Sequence, residues 1–185
     1  MKSNNMKTPR DVLKNIFGYR EFRENQDILI ERILNKQDTV IIMPTGGGKS
    51  LCYQLPAILF RGSVIVVSPL ISLMIDQVTR LKELGISAVY LNSSLTKDEF
   101  HNNIRMIKEQ KIDLIYAAPE TLMIQKTIQL LKNIHIDLIA IDEAHCISEW
   151  GHDFRPEYRK LNLLREYFPS AALIALTATA TPKVR

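Results

Sequence analysis

Apolar positions in this chain fall into two alternating patterns. Six short runs rich in β-branched residues, at 39–43, 64–67, 88–91, 112–116, 138–141 and 171–176, are almost continuously apolar. Strands buried on both faces of a parallel sheet look like this. Longer stretches between them have helical spacing. Residues 70–84 carry Leu70, Leu73, Met74, Val78 and Leu81 on one stripe and stop at Gly85. Thr96-Lys97-Asp98-Glu99 has the form of a capping box and opens a helix predicted to run to about Gln110. Thr8-Pro9 with Asp11 starts a short helix that Gly18 ends. This alternation predicts right-handed crossovers and an open α/β parallel sheet with helices on both faces. Ligands bind such sheets at the carboxyl ends of the strands.

Composition narrows the class. With 185 residues, 46% apolar and 24% charged, the chain is of ordinary globular make-up and long enough for one domain with its own core. Cys52 and Cys146 are far apart and form no CxxC, so neither a zinc site nor a disulfide framework is expected, and a reducing compartment fits. No apolar run approaches the ~18 residues that cross a bilayer, and residues 1–9 lack the apolar stretch of a signal peptide. The expectation is a cytoplasmic protein with no membrane partner. The net charge is +4, and residues 1–36 hold eight Lys/Arg against five Asp/Glu. That excess suits a polyanion without requiring one.

Two segments carry chemistry. Met43-Pro44-Thr45-Gly46-Gly47-Gly48-Lys49-Ser50 stands between a predicted strand and a helix, the context of a phosphate-binding loop. Its glycines let backbone N–H groups turn around an anion, and the following helix offers its N-terminus. Lys49 supplies a charge for the β/γ-phosphates and Ser50 a hydroxyl for Mg²⁺. The strict pattern has Gly where this chain has Met43; the bland alternative is a glycine-rich turn. Cys52 and Pro56 downstream read as packing and helix-end residues. The second segment, Asp142-Glu143-Ala144-His145, follows the apolar run at 138–141. Adjacent carboxylates repel, so a pair at a strand tip calls for a cation or a catalytic task, unless it is simply solvated. Beside a phosphate loop, Asp142 orders Mg²⁺, Glu143 orients the attacking water, and His145 senses the γ-phosphate or bridges to a neighbouring segment. Together they imply nucleotide hydrolysis.

These motifs resemble superfamily 2 helicases, and their context resembles the RecQ family of DNA helicases. Phe17-Gly18-Tyr19, Phe22-Arg23 and Gln26 are similar to that family's adenine-recognition segment. Ser68-Pro69-Leu70-Ile71-Ser72-Leu73-Met74 with Asp76-Gln77 resembles motif Ia, Ala118-Pro119-Glu120 motif Ib, and Leu176-Thr177-Ala178-Thr179-Ala180 motif III. Most specific is the aromatic-rich loop Cys146-Ile147-Ser148-Glu149-Trp150-Gly151-His152-Asp153-Phe154-Arg155-Pro156. The resemblance implies a P-loop NTPase of RecA-like fold. It divides the chain into a helical segment with the adenine motif, residues 1–36, and a first ATP-binding lobe, residues 37–185. It also implies ATP and Mg²⁺ as cofactors, single-stranded or partly duplex DNA as partner, and 3′-to-5′ unwinding in repair or recombination.

Within that resemblance, Tyr19, Arg23 and Gln26 are assigned to ATP selection. A Gln amide donates to and accepts from an adenine edge and Tyr19 can stack on a purine; on the residues alone, a capped helix pair packing its aromatics serves as well. Trp150, His152, Phe154 and Arg155 suit stacked single-stranded bases, worth ~1–3 kcal/mol each, or else anchor their loop in the core. Ser68-Pro69 and Ala118-Pro119 end strands, either holding a DNA backbone or only turning the chain. Thr177 and Thr179 bridge the nucleotide and DNA sites or are plain strand-end hydroxyls. His101 and His135 read as surface or core.

A helicase of this family pairs the first lobe with a second that completes the ATP site. This lobe alone is therefore expected to bind nucleotide weakly, hydrolyse little and unwind nothing. The alternatives are a non-catalytic nucleotide or single-stranded-DNA module and, less favoured by the aromatic loop and by Thr177-Ala178-Thr179, an RNA helicase. In a complete enzyme, Trp150→Ala is expected to cut DNA-stimulated turnover far more than nucleotide binding; equal losses in a kinetic and binding comparison would remove the coupling role.

Overall fold

The computed structural model describes residues 8–109, 112–147 and 156–179. Six strands form one parallel sheet: β1 (Thr39–Ile42), β2 (Ser63–Val67), β3 (Ala88–Leu91), β4 (Leu114–Ala117), β5 (Ile136–Ile141) and β6 (Ala172–Thr177). Each predicted run became a strand, with ends moved by up to two residues. Their order is β1-β6-β5-β2-β4-β3. The last strand thus inserts between the first and the fifth, pairing Ile41 with Leu176 on one side and Leu138 with Ala172 on the other.

Alternation within the buried strands splits the core in two. In β2, Val64 and Val66 face one cluster with Ile33, Tyr53, Met74, Val78 and Leu81, while Ile65 and Val67 face another with Ile107, Leu131, Tyr158 and Leu164. The first face is covered by α2 (Gln26–Leu34), α3 (Leu51–Leu59) and α4 (Ile71–Glu83). The second is covered by α5 (Lys97–Lys108), α6 (Pro119–Leu122), α7 (Gln125–Leu131), a 3₁₀ stretch (Pro156–Leu163) and α8 (Leu164–Tyr167). α1 (Pro9–Asn15) and α2 pack on α3 through Val12, Leu13, Ile30, Leu51 and Leu55. The N-terminal helices therefore share a core with the helix that follows the phosphate loop.

Local signals act as read, with one correction. Both capping boxes form, Thr8 with Asp11 and Thr96 with Glu99. In α4, Met74, Val78 and Leu81 are buried, but Leu70 at the helix start is exposed. Pro56 does not end α3; it lies inside that helix and is buried, and the Phe60 N–H still reaches its carbonyl at 2.9 Å. A proline breaks only the bond its own missing N–H would make, and packing on both sides keeps the helix going.

At the amino ends of the strands, Asp137 at the start of β5 is buried and accepts from the Gly62 N–H at 2.6 Å, from the Lys36 ammonium and from His135 at 3.1 Å. Burial pushes its carboxyl up, but Lys36 and the Gly62 amide outweigh that and hold it below the ordinary carboxylate value. A lowered acid stabilises the fold above its unfolded pKa, and that contribution is lost as pH falls through the folded one. Asp137→Asn should lower stability by about 2 kcal/mol at pH 7. Chemical denaturation should show the gap closing below about pH 4.

Candidate active site

Because every strand runs the same way, every carboxyl tip reaches one edge of the sheet, and the predicted motifs that follow β1 lie at such tips. The phosphate loop follows β1, Thr177 ends β6, Asp142 follows β5, Ser68 follows β2 and Ala118 follows β4. Lys49 and Asp142 are thus on the same edge, as the sequence required. Their strands are not neighbours, however: β6 lies between them, which separates the tips by about 10 Å at normal strand spacing.

The loop at 43–50 shows why its glycines are needed. Gly46 and Gly48 have φ of 77° and 85°, open to glycine at little cost. A Cβ on Gly47 would sit 2.9 Å from the Pro44 carbonyl. Among the described residues, the N–H groups of Gly46, Gly48, Lys49 and Ser50 donate to nothing, a set of donors suited to phosphate oxygens. The loop's own carbonyls are occupied. Lys49 Nζ donates to Met43 O at 3.1 Å, Gln26 Nε2 to Gly48 O at 3.2 Å, and the Arg23 guanidinium to Gly46 O. Met43, where the strict pattern has Gly, extends the apolar run of β1: its side chain packs on the core and its N–H meets Thr177 O at 3.1 Å.

Phe17, Tyr19, Glu21, Arg23, Gln26 and Gln54 line a cleft beside Gly48 and Ser50. Tyr19 is 56% exposed there, poised to stack. Gln26 is buried, and its amide oxygen accepts from the Arg23 N–H at 2.9 Å while its nitrogen holds Gly48. Here, then, its polar atoms bind the loop.

At β5 the chain turns sharply, with Glu143 at a φ of 50°, and enters a 3₁₀ turn, Ala144–Ile147. Asp142 is buried; its Oδ1 accepts from the Glu143 N–H at 3.0 Å, and its carbonyl accepts from the Tyr158 hydroxyl at 2.9 Å. No lysine or arginine is ion-paired with it among the described residues. Burial first, and then the Glu143 charge, push its carboxyl up to about 6, against smaller help from Lys49 and His145. Such a carboxylate fits a cation: Mg²⁺ would find Asp142 and Ser50 as ligands, with phosphate oxygens and water completing the shell. His145 Nδ1 lies 3.2 Å from both Glu143 Oε2 and Thr177 Oγ1. Thr177 gives its single proton to Thr179 O at 2.8 Å, so the proton of the His145–Thr177 bond is the imidazole's. His145 thus contacts the end of β6 at Thr177.

The strand tips read as DNA contacts are mostly inward. Ser68, Pro69, Ala118 and Pro119 are buried, and the Ser68 hydroxyl caps the Leu70 N–H at 3.4 Å. Thr177 is fully buried and Thr179 exposed. Trp150, His152, Phe154 and Arg155 lie outside the described residues. His101 and His135 are exposed. Burial pushes the Cys52 thiol up to about 11, which makes it an inert packing group. Two contributors escaped the sequence reading. Tyr158 reaches Asp142 from 16 residues downstream with no local signal, and Gln54 looks like any polar helix residue until the cleft is formed.

Fold and site together define a RecA-like α/β lobe, and the chain belongs to the DEAD/DEAH box helicase family, whose description matches residues 23–185. It is 50% identical over 177 residues to the ATP-dependent DNA helicase RecQ of Bacillus subtilis strain 168, covering 95% of this chain and 30% of that protein. Against the ATP-dependent DNA helicase Q1 of Mus musculus it is 46% identical over 182 residues, with coverages of 95% and 28%. The chain thus spans under a third of the length of these relatives. Among solved structures, a hypothetical ATP-dependent RNA helicase from Sulfolobus tokodaii matches with a TM-score of 0.72 at 20% identity, over 97% of this chain and 53% of that one. The helicase Lhr of Mycobacterium smegmatis, bound to single-stranded DNA and AMP-PNP, matches with 0.71 at 20% identity, over 98% and 26%. These two share the fold. Among the described residues, no helix is long and apolar enough to cross a membrane.

A raised acid disfavours the fold as it ionises, so stability falls as pH rises from about 4 to 6 and stays lower above. Asp142→Asn should therefore melt higher than the parent at pH 8 without Mg²⁺, by up to about 3 kcal/mol. The advantage should vanish near pH 4; a pH-independent gap in thermal melts would disprove the buried-charge account.

Proposed function

We propose that this chain is the first motor lobe of a RecQ-type, ATP-dependent 3′-to-5′ DNA helicase that binds single-stranded DNA and unwinds partly duplex DNA in repair and recombination. The observation that carries the reading is one edge of the sheet. There, a loop with unpaired N–H donors and a buried carboxylate flank Thr177, which holds the loop by its carbonyl and His145 by its hydroxyl. Near 50% identity to DNA helicases over almost the whole chain supports the choice of nucleic acid. Cys52 and Cys146, buried thiols outside any disulfide, suit a cytoplasmic setting.

In this reading ATP is the substrate. Tyr19 stacks on the base, with Arg23 and Gln26 selecting it, and Thr45 to Ser50 wrap the phosphates with their N–H groups. Lys49 exchanges the Met43 carbonyl for phosphate oxygens. Asp142 and Ser50 hold Mg²⁺, which supplies charge neutralisation at the phosphates when bound. Glu143 orients the attacking water, and His145 carries the state of that carboxylate to Thr177 and Thr179. Ser68, Pro69, Ala118 and Pro119 set the course of the chain at the strand tips that face DNA, the Ser68 and Ala118 N–H groups being bonded to Ala117 O and Leu91 O, and Trp150, His152, Phe154 and Arg155 stack on or grip single-stranded DNA. A second RecA-like lobe contributes the arginines that stabilise the transition state, a contribution worth ~10³–10⁵ in turnover.

Glu143→Gln in the complete enzyme should lower kcat by about 10²–10⁴ with nucleotide binding retained, whereas Lys49→Ala should lose both. Turnover assays with matched DNA and RNA strands should show stimulation by DNA. Equal stimulation by RNA, or strong DNA-stimulated turnover from residues 1–185 alone, would refute this reading.

A further inference from the structure

A second polar cluster lies beneath the loop, inside the core. Tyr53 and Tyr116 are fully buried, with rings edge-to-face at 6.3 Å and 69°. The Gln77 amide oxygen accepts from Tyr116 Oη at 2.8 Å, Tyr53 Oη at 3.0 Å and Gln54 Nε2 at 3.1 Å. Gln54 Nε2 also donates to Tyr116 Oη at 3.0 Å. The protons balance: each hydroxyl gives one, the Gln54 amide gives two, and Gln77 receives three. Apolar side chains would fill this space without desolvating four polar groups. A polar junction of this kind, buried at the two tyrosines and half-buried at the two glutamines, instead fixes the relative position of the elements it joins.

Those elements are the ones the functional reading needs joined. Tyr53 and Gln54 are on α3, and the Gln54 N–H bonds Ser50 O at 2.9 Å. Gln54 also lines the cleft with Tyr19, Arg23 and Gln26. Gln77 is on α4, which begins just after Ser68-Pro69, and Tyr116 is on β4, two residues before Ala118-Pro119. We propose that the Tyr53–Gln54–Gln77–Tyr116 cluster is a positioning device that couples the phosphate loop to the two DNA-contacting strand tips. The inference rests on the functional reading above.

The coupling follows from the bonds. In this inference Lys49 reaches phosphate from its bond to Met43 O, and the loop carrying the Gly46 and Gly48 carbonyls shifts against Arg23 and Gln26. Ser50 moves with them, and Gln54 is tied to Ser50 by its backbone. The two Gln54 amide hydrogens then pull on α4 through Gln77 and on β4 through Tyr116. Gln77 gathers three donors on one oxygen, so displacing one donor re-sorts the others. Such a junction has discrete arrangements that both sites can bias.

Linkage makes this measurable, because the factor by which DNA changes nucleotide affinity equals the factor by which nucleotide changes DNA affinity. In the complete enzyme, the affinity for a non-hydrolysable ATP analogue is measured with and without single-stranded DNA, and the affinity for DNA with and without the analogue. Tyr116→Phe keeps the ring but removes the shortest bond to Gln77 and an acceptor from Gln54. It should cut a wild-type factor in the usual range of about 5–150 by five-fold or more, or to unity where the starting factor is smaller. Each affinity measured alone should stay within about two-fold. Tyr53→Phe, which removes one donor, should give a smaller fall, and it decides the matter if Tyr116→Phe does not fold. A folded variant that melts lower but keeps the wild-type factor assigns the cluster to packing and overturns the inference alone. A wild-type factor of one overturns the functional reading and the inference with it.

Discussion

Parallel pairing is the constraint on which this molecule depends. Each crossover returns the chain to the same end of the sheet before the next strand begins, so six strands deliver six carboxyl tips to one edge. Residues more than ninety positions apart, such as Lys49 and Asp142, come within working distance without any contact between their own segments. Neither side chain is held by the other. Both are held by a sheet whose strands are buried on both faces, and the site inherits the rigidity of that core.

On this scaffold, the nucleotide end is organised around groups whose needs are unmet. Asp142 is buried beside a second carboxylate, and burial together with the Glu143 charge raises its pKa. The phosphate loop has N–H groups turned toward no acceptor, while its carbonyls and its lysine are tied back to Arg23, Gln26 and Met43. Exchange of these internal bonds for phosphate and metal contacts is the natural first event of binding. Thr177 and the Tyr116 cluster both make hydrogen bonds that lead away from that loop, one set along β6 and one beneath the loop.

Much of this was legible in the residues, and the reasons differ from case to case. The six strands were visible because two-sided burial demands unbroken apolar runs. The caps at Thr8 and Thr96 were visible because a capping box is a local bond between residues three apart. The phosphate loop and Asp142-Glu143 were visible because their chemistry demands particular residue types at fixed spacing. Pro56 was misjudged, since helix propensity is a weak local preference that packing on both sides of α3 overrides. Gln26 was read for its chemistry toward adenine, yet its amide faces Gly48 across 22 positions, a partner no window of sequence contains. Ser68 shows the same limit: a strand-end hydroxyl looks available until the surrounding helices bury it.

The sequence by itself determined the element types, the parallel class, the family resemblance and the chemistry of each motif, because these depend on side-chain type, on period and on short-range bonds. Only the tertiary structure decided the strand order that inserts β6 between Lys49 and Asp142. It alone decided that Tyr158 would hold the Asp142 carbonyl and that Gln54, Gln77 and Tyr53 would meet Tyr116 in the core. Those choices are made by packing among residues distant in the chain, where the free energy belongs to the filled volume and no single segment carries it.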